Sequence, residues 1–269
     1  MDYNMDAGWQ LHPIGGDTGQ AYMGTKDDQR IFLKKNSSPF LAALSSEGIT
    51  AKLIWTRRST SGDILTAQEW LEGRTLKADE MGQEAIIQLL KQVHGSKKLL
   101  NMLEQVQGPS YEPRHFINLY KSNLHRDLVS HTWLNRVLEY LEDTQELIAS
   151  NERTVCHGDL NHKNFLNAPT GELYLVDWEN VRIADPISDM TYILSRYIPL
   201  DQWQEWFDQY GLRLTDDVYH RVEWYTLINL MLAIKQNHFE GRLFAVNKHI
   251  LLMKQIYEQR SILGHPDEQ

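Results

Sequence analysis

Residues 155–189 read VCHGDLNHKNFLNAPTGELYLVDWENVRIADPISD, and the spacing of their polar groups decides how the rest of the chain is read. His157, Asp159 and Asn164 stand as His-x-Asp-x-x-x-x-Asn, and Asp177 follows Asp159 by 18 residues at the end of the apolar run Leu173 to Val176. A carboxylate at Asp159 can orient a hydroxyl and accept its proton. Asn164 can return across a tight loop so that its amide oxygen reaches a cation, and Asp177 comes in from the next strand to bridge the same ion. Such oxygens suit a hard cation that also holds substrate phosphates.

Phosphoryl transfer needs little covalent help from protein, and its recurring parts are a carboxylate on the acceptor side and oxygen ligands for magnesium. His157 to Asn164 (HGDLNHKN), Leu175 to Glu179 (LVDWE) and Asp185 to Asp189 (DPISD) together resemble the aminoglycoside phosphotransferase and choline kinase group, small-molecule relatives of protein kinases. In that resemblance Gly158 replaces the Arg common in protein kinases, and Asp177-Trp178-Glu179 replaces Asp-Phe-Gly. No Ala-Pro-Glu follows Asp177, which argues against a protein substrate. The resemblance implies an α+β, protein-kinase-like two-lobe fold: a small antiparallel-sheet N-lobe with one helix and a larger, mainly helical C-lobe.

The bulk properties narrow the class. A chain of 269 residues with 42% hydrophobic content can bury a sizeable core. One cysteine, Cys156, excludes an internal disulfide framework or a multi-cysteine zinc site and suits a reducing compartment. MDYNMDAGWQ carries neither a basic patch nor an apolar run, and Tyr225 to Ile234 is too short for a membrane span, so a cytoplasmic, non-membrane protein is expected. A net charge of −9 argues against nucleic acid as a partner and is compatible with a cationic acceptor, although acidic solubility charge is common.

Along the chain, Trp9 to Pro13, Ala21 to Gly24 and Arg30 to Lys34 read as strands. A helix from Ser37-Ser38-Pro39 to Glu47 follows, then strands over Lys52 to Arg57 and Asp63 to Trp70. From Thr75 onward the period is helical, with Ile86, Leu89, Leu90 and Val93 on one face. A later helix is capped by Thr215 and apolar all round between Leu227 and Ile234. Leu71 to Arg74 is the expected hinge, between a nucleotide-binding lobe over residues 1–72 and a catalytic, acceptor-binding lobe over 73–269.

By strand alternation Lys34 points into the cleft and Lys35 away from it, and the resemblance makes Lys34 the phosphate-pairing lysine with Glu47 as its holder. The turn holding Gly15, Gly16 and Gly19 can fold over phosphates, though it departs from G-x-G-x-x-G and an ordinary hairpin has the same composition. The resemblance implies that backbone around Glu69, Trp70 and Leu71 would meet the adenine. ATP and Mg2+ are the cofactors implied, with GTP left open.

His157 is read as a structural brace, Asp185 and Asp189 as holders of the catalytic loop and helix start, with Asp189 bracing the helix, and Cys156 as a small hydrophobe. Trp178, Trp203, Trp206, Trp224 and Tyr225 with Glu179, Asp201 and Glu205 make either an aromatic box for an amine or, with more weight, helix core and solvated acids. The reading is a small-molecule kinase whose acceptor is the hydroxyl of an amino alcohol, aminoglycoside or sugar-like metabolite. The rival is a nucleotide-binding pseudokinase that regulates a partner protein.

Overall fold

The computed structural model describes residues 9–14, 21–59, 62–148 and 152–263. Its first part is the antiparallel sheet β1 (Gln10–Pro13), β2 (Ala21–Lys26), β3 (Gln29–Lys35), β4 (Leu53–Arg58) and β5 (Ile64–Glu69), with α1 (Phe40–Ser46) between β3 and β4. The strand order is β1-β2-β3-β5-β4. Lys26 pairs with Gln29, so Asp27-Asp28 makes a two-residue hairpin, and Asp27 takes the positive φ of 52° that such turns demand. Alternation along β3 buries Ile31 and Leu33 against Ala67 of β5, which turns Lys34 to the other face.

Local chemistry sets the bounds of α1. Ser38 Oγ accepts the N–H of Phe40 at 3.2 Å with Pro39 pre-set to a helical φ, and Gly48 at φ +71° ends the helix. Its apolar side, Phe40, Ala43 and Leu44, joins the main core of the helical lobe. The link between the sheet and the helical part has a place only glycine fits: a Cβ on Gly73 would lie 2.5 Å from the carbonyl oxygen of Asn167. Directly after it Arg74 makes a bidentate pair with Glu80 at 2.6 and 2.5 Å.

The C-lobe begins with β6 (Arg74–Thr75) and five helices, α2 (Glu84–Gly95), α3 (Lys97–Gln105), α4 (Pro113–Lys121), α5 (Arg126–Val129) and α6 (Thr132–Thr144). Four short strands follow: β7 (Thr154–Cys156), β8 (Phe165–Asn167), β9 (Leu173–Leu175) and β10 (Arg182–Ala184). β7 pairs with β10, and β8 lies between β6 and β9, so the quoted stretch folds back on itself as two small ribbons. The chain ends in α7 (Ile187–Tyr197), α8 (Trp203–Tyr210), α9 (Asp216–Phe239) and α10 (Leu243–Leu263).

α9 is the axis of this lobe. Thr215 caps it by accepting the N–H of Val218, and Leu227, Ile228, Leu230, Met231 and Ile234 are fully buried. Buried Asn229 gives its Nδ2 to Ser188 O at 2.9 Å and Thr191 Oγ1 at 3.0 Å, fixing the rotation of α7 against α9. Among the described residues no helix is long and apolar enough to cross a membrane. Leu230→Ala should lower the unfolding free energy by about 2–5 kcal/mol, the usual cost of a large-to-small change at a site that cannot collapse. Urea denaturation checks this, and a loss under about 1 kcal/mol would mean the site can collapse after all.

Candidate active site

The loop between β7 and β8 is built around one carboxylate. Asp189, in the first turn of α7 and 1% exposed, accepts the backbone N–H of His157 at 2.7 Å and that of Gly158 at 3.0 Å, and meets His94 Nε2 at 3.3 Å. Burial alone pushes the Asp189 pKa up, but His94, Arg182 and His157 outweigh it and hold the carboxyl below its ordinary value. The start of α7 is braced by a different residue from the one expected. Asp185 Oδ1 accepts the N–H of Ile187 at 2.9 Å, while its Oδ2 takes Arg221 Nε at 2.8 Å. Burial is the main cause that raises the Asp185 pKa, against the pull of Arg221.

His157 is fully buried and its ring is fixed at both ends: Nε2 donates to Val176 O at 2.9 Å and Nδ1 accepts the N–H of Asp159 at 3.2 Å. Burial lowers its pKa, so it stays neutral as a brace between the loop and the segment that carries Asp177. Gly158 sits at φ +80°, and a Cβ there would lie 2.5 Å from Asn180 O and 2.8 Å from the Arg182 guanidinium. The Arg common at this position in protein kinases has no room.

Asp159 is thereby presented with both oxygens engaged. Tyr192 on α7 donates its O–H to Oδ1 at 2.7 Å, and Asn164 Nδ2 lies 3.3 Å from Oδ2 and 2.8 Å from the Asp159 carbonyl. With its amide nitrogen turned to Asp159, Asn164 offers Oδ1 on its other side. Asn164 O accepts the N–H of Val176 at 2.9 Å, which brings that residue beside Asp177. Asp177 holds φ 62°, ψ 64°, a left-handed conformation that costs a non-glycine residue about 1–3 kcal/mol and marks a geometrically constrained position.

Lys34 closes the site from the sheet. Its Nζ lies 3.1 Å from Asp177 Oδ1 and 2.6 Å from Glu179 Oε1, whereas Lys35 reaches Asp63 at 3.7 Å. Burial draws the Lys34 pKa down, but the hydrogen bond to Glu179 and the charge of Asp177 more than offset it, and the net shift is upward. Glu47 does not hold Lys34. It is the C-terminal cap of α1, its carboxylate pairs with Lys98 at 2.9 Å, and its carbonyl accepts Gln92 Nε2 at 2.6 Å, so it ties α1 to α2 and α3. The helix is too short to present a mid-helix acid to Lys34, and Glu179, two residues past Asp177, supplies the acid instead.

Of the remaining expected residues, Gly15, Gly16 and Gly19 lie outside the described residues. The N–H of Glu69 is given to Lys52 O at 2.9 Å and its side chain meets Lys52 at 3.5 Å; Leu71 is half-buried at the hinge. No aromatic box forms from the tryptophans: Trp178, Trp203, Trp206, Trp224 and Tyr225 are all buried in the core. Tyr192 and Arg196 were the residues missed. The Arg196 guanidinium stacks 3.6 Å from the centre of the Tyr192 ring, and its Nη1 and Nη2 bond Tyr192 O and Asn229 O.

The sequence profile of the phosphotransferase enzyme family matches residues 11–225. The chain belongs to that family. By class, its members are small-molecule kinases. Solved structures share the fold at low identity. The choline kinase LicA from Streptococcus pneumoniae is 18% identical over 94% of this chain and 95% of its own, with a TM-score of 0.66. A choline/ethanolamine kinase family protein from Mesorhizobium loti is 16% identical over 93% and 88%, with a TM-score of 0.64. The GDP and kanamycin complex of APH(2")-IIia is 12% identical over 93% of each chain, with a TM-score of 0.61.

For a phosphotransferase built this way, the Tyr192 hydroxyl is a testable part. Burial pushes its phenol well up, so it stays a donor to Asp159. Tyr192→Phe should lower kcat by roughly 10- to 100-fold, the worth of a hydrogen bond to a charged group, with little change in nucleotide affinity. An unchanged kcat would remove Tyr192 from the site. Gly158→Ala should cost about 1–3 kcal/mol of stability, seen as a lower thermal midpoint, and should also abolish turnover. A variant as stable and active as the parent would contradict the close approach at Asn180.

Proposed function

We propose that the protein transfers the γ-phosphate of ATP, with magnesium, to a hydroxyl of a small molecule. The observation that carries this is the convergence of Lys34, Asp177, Asn164 and Asp159 from the sheet, the segment after β9 and the β7–β8 loop at one place. The donor set fits magnesium: Asp177 and Asn164 offer hard oxygens, and the acid pair Asp177 and Glu179 already carries a positive charge in the form of the Lys34 ammonium. Bound there, magnesium would supply charge neutralisation for the transferring phosphoryl group. Asp159 orients the acceptor hydroxyl and takes its proton. Lys34 aligns the phosphates, with Glu179 in the role expected of Glu47. Residues 1–72 would form the nucleotide side and residues 73–269 the catalytic and acceptor side.

ATP is the proposed nucleotide. One neighbouring structure is LicA in complex with AMP, and the APH(2")-IIia complex holds GDP, so the base is a matter for direct comparison. On the acceptor side, Arg196 stacked on Tyr192 places a fixed positive charge one side chain from Asp159. That charge works against an ammonium seated directly beside Tyr192; amino alcohols, aminoglycosides and sugar-like metabolites are the proposed acceptor classes. One observation favours the regulatory alternative: Phe239 and Phe244, at the turn between α9 and α10, are 87% and 86% exposed.

Two substitutions separate the roles. Asp177→Asn should lower magnesium-dependent turnover by on the order of a hundredfold or more while the fold is kept. Asp159→Ala should lower turnover comparably with nucleotide affinity retained, measured by calorimetry beside the turnover assay. Near-normal turnover in either variant would contradict the assignment, and ATP binding without turnover against any acceptor would favour the regulatory alternative.

A further inference from the structure

A second cluster of metal-ligating side chains lies outside the cleft, where the start of α5 meets the end of α9. His125 precedes α5, Asp127 is in its first turn, and His238 is in the last turn of α9. His125 Nδ1 lies 3.4 Å from Asp127 Oδ2, His238 Nε2 lies 3.3 Å from that oxygen, and the three donor atoms all fall within 4.8 Å of one another. The imidazole rings sit 4.7 Å apart, tilted at 39° to one another. We propose that His125, Asp127 and His238 form a binding site for one divalent transition metal of the zinc, cobalt and nickel class.

The distances carry the argument. Zinc bonds to imidazole nitrogen and carboxylate oxygen are about 2.0–2.1 Å, so two ligands of one tetrahedral ion stand about 3.3–3.4 Å apart. Both measured edges have that length, and a solvent-facing fourth position is supplied by the exposure of His125 and Asp127. The nitrogen is also in a usable state. His125 Nδ1 accepts the N–H of Asp127 at 3.2 Å and so carries no proton, and a metal would replace that long bond. His238 Nε2 would surrender its contact with Asp127 by moving its proton to Nδ1.

The ligands are held by segments already tied together. Lys235, one turn before His238, bonds Leu119 O at 2.6 Å and Ser122 Oγ at 3.2 Å, fixing α9 to the loop that leads into His125. Two imidazoles and one carboxylate select a borderline ion over magnesium, which separates this site chemically from the all-oxygen set of the cleft. The other His and acid cluster, His94, Cys156 and Asp189, is not a competitor: Asp189 is committed to the loop N–H groups, and burial pushes the Cys156 thiol well up. The inference is independent of the phosphotransferase reading.

The test is a cobalt(II) titration of the tag-free, metal-stripped full chain followed by visible absorption, with zinc competition. The expected result is one equivalent bound with the d–d bands of tetrahedral cobalt, displaced by zinc. His238→Ala and Asp127→Asn should each weaken binding by at least about tenfold. Asp127→Asn tests ligation with little risk to the fold, and circular dichroism confirms the fold of both. Asp177→Asn, which removes a ligand of the cleft, should leave the titration intact. The proposal is overturned by the absence of d–d bands, by binding that is lost in Asp177→Asn yet survives in His238→Ala, or by a thiolate charge-transfer band that would place the metal at Cys156.

Discussion

The placement of the loop that carries Asp159 traces to one buried carboxylate. Asp189 is removed from water and would be costly there if unpaired, by several kcal/mol, so its bonds to the His157 and Gly158 amides and to His94 have to be made. Those two amides belong to the residues before Asp159, which means that α7 sets the height and direction of the loop. α7 is in turn keyed to α9 by Asn229, and α9 is buried nearly all round. The site geometry is thus a consequence of core packing. Because the folded pKa of Asp189 is lowered, the clamp is complete above the ordinary carboxylate range and is lost only as pH falls through the lowered value.

Charge in the cleft follows from the same frame. Asp177 is forced into a left-handed conformation where the backbone turns from β9, and Glu179 comes round beside it within a short helical turn. Two acids so placed need a positive partner, and Lys34 from β3 supplies it across the lobes. The raised pKa shows that the two acids hold that lysine's charge against the cost of its burial. Asp177 and Glu179 are about half exposed, so their pairing with Lys34 adds little stability. Arg196, stacked on the Tyr192 ring, adds a positive charge behind the hydroxyl that donates to Asp159.

Much of this was legible in the chain because it rests on short-range rules. The strand alternation that separates Ile31 and Leu33 from Lys34, the Ser38-Pro39 start of α1, the Thr215 cap and the all-apolar stretch of α9 each depend on neighbours in sequence. The spacing of Asp159, Asn164 and Asp177 was readable for the same reason. The errors were of long range. Glu47 has the expected residue type near the expected place, but whether a helix end faces the cleft or α3 depends on helix length and packing, which spacing does not encode. Tyr192 and Arg196 look like ordinary helix residues until α7 is docked, and their i, i+4 spacing beside Asp189 was the one available signal. Asp185 and Asp189 exchanged the roles expected of them because helix start and loop brace both call for an acid.

The measurement that tests the central claim most directly is mass spectrometry of the reaction products after incubation of pure protein with magnesium, ATP and a panel of hydroxyl-bearing small molecules. The account predicts a phosphomonoester of one small hydroxyl-bearing acceptor, formed only when magnesium is present. Phosphate found on protein, or ATP bound indefinitely with no phosphorylated small molecule from any acceptor, would contradict it.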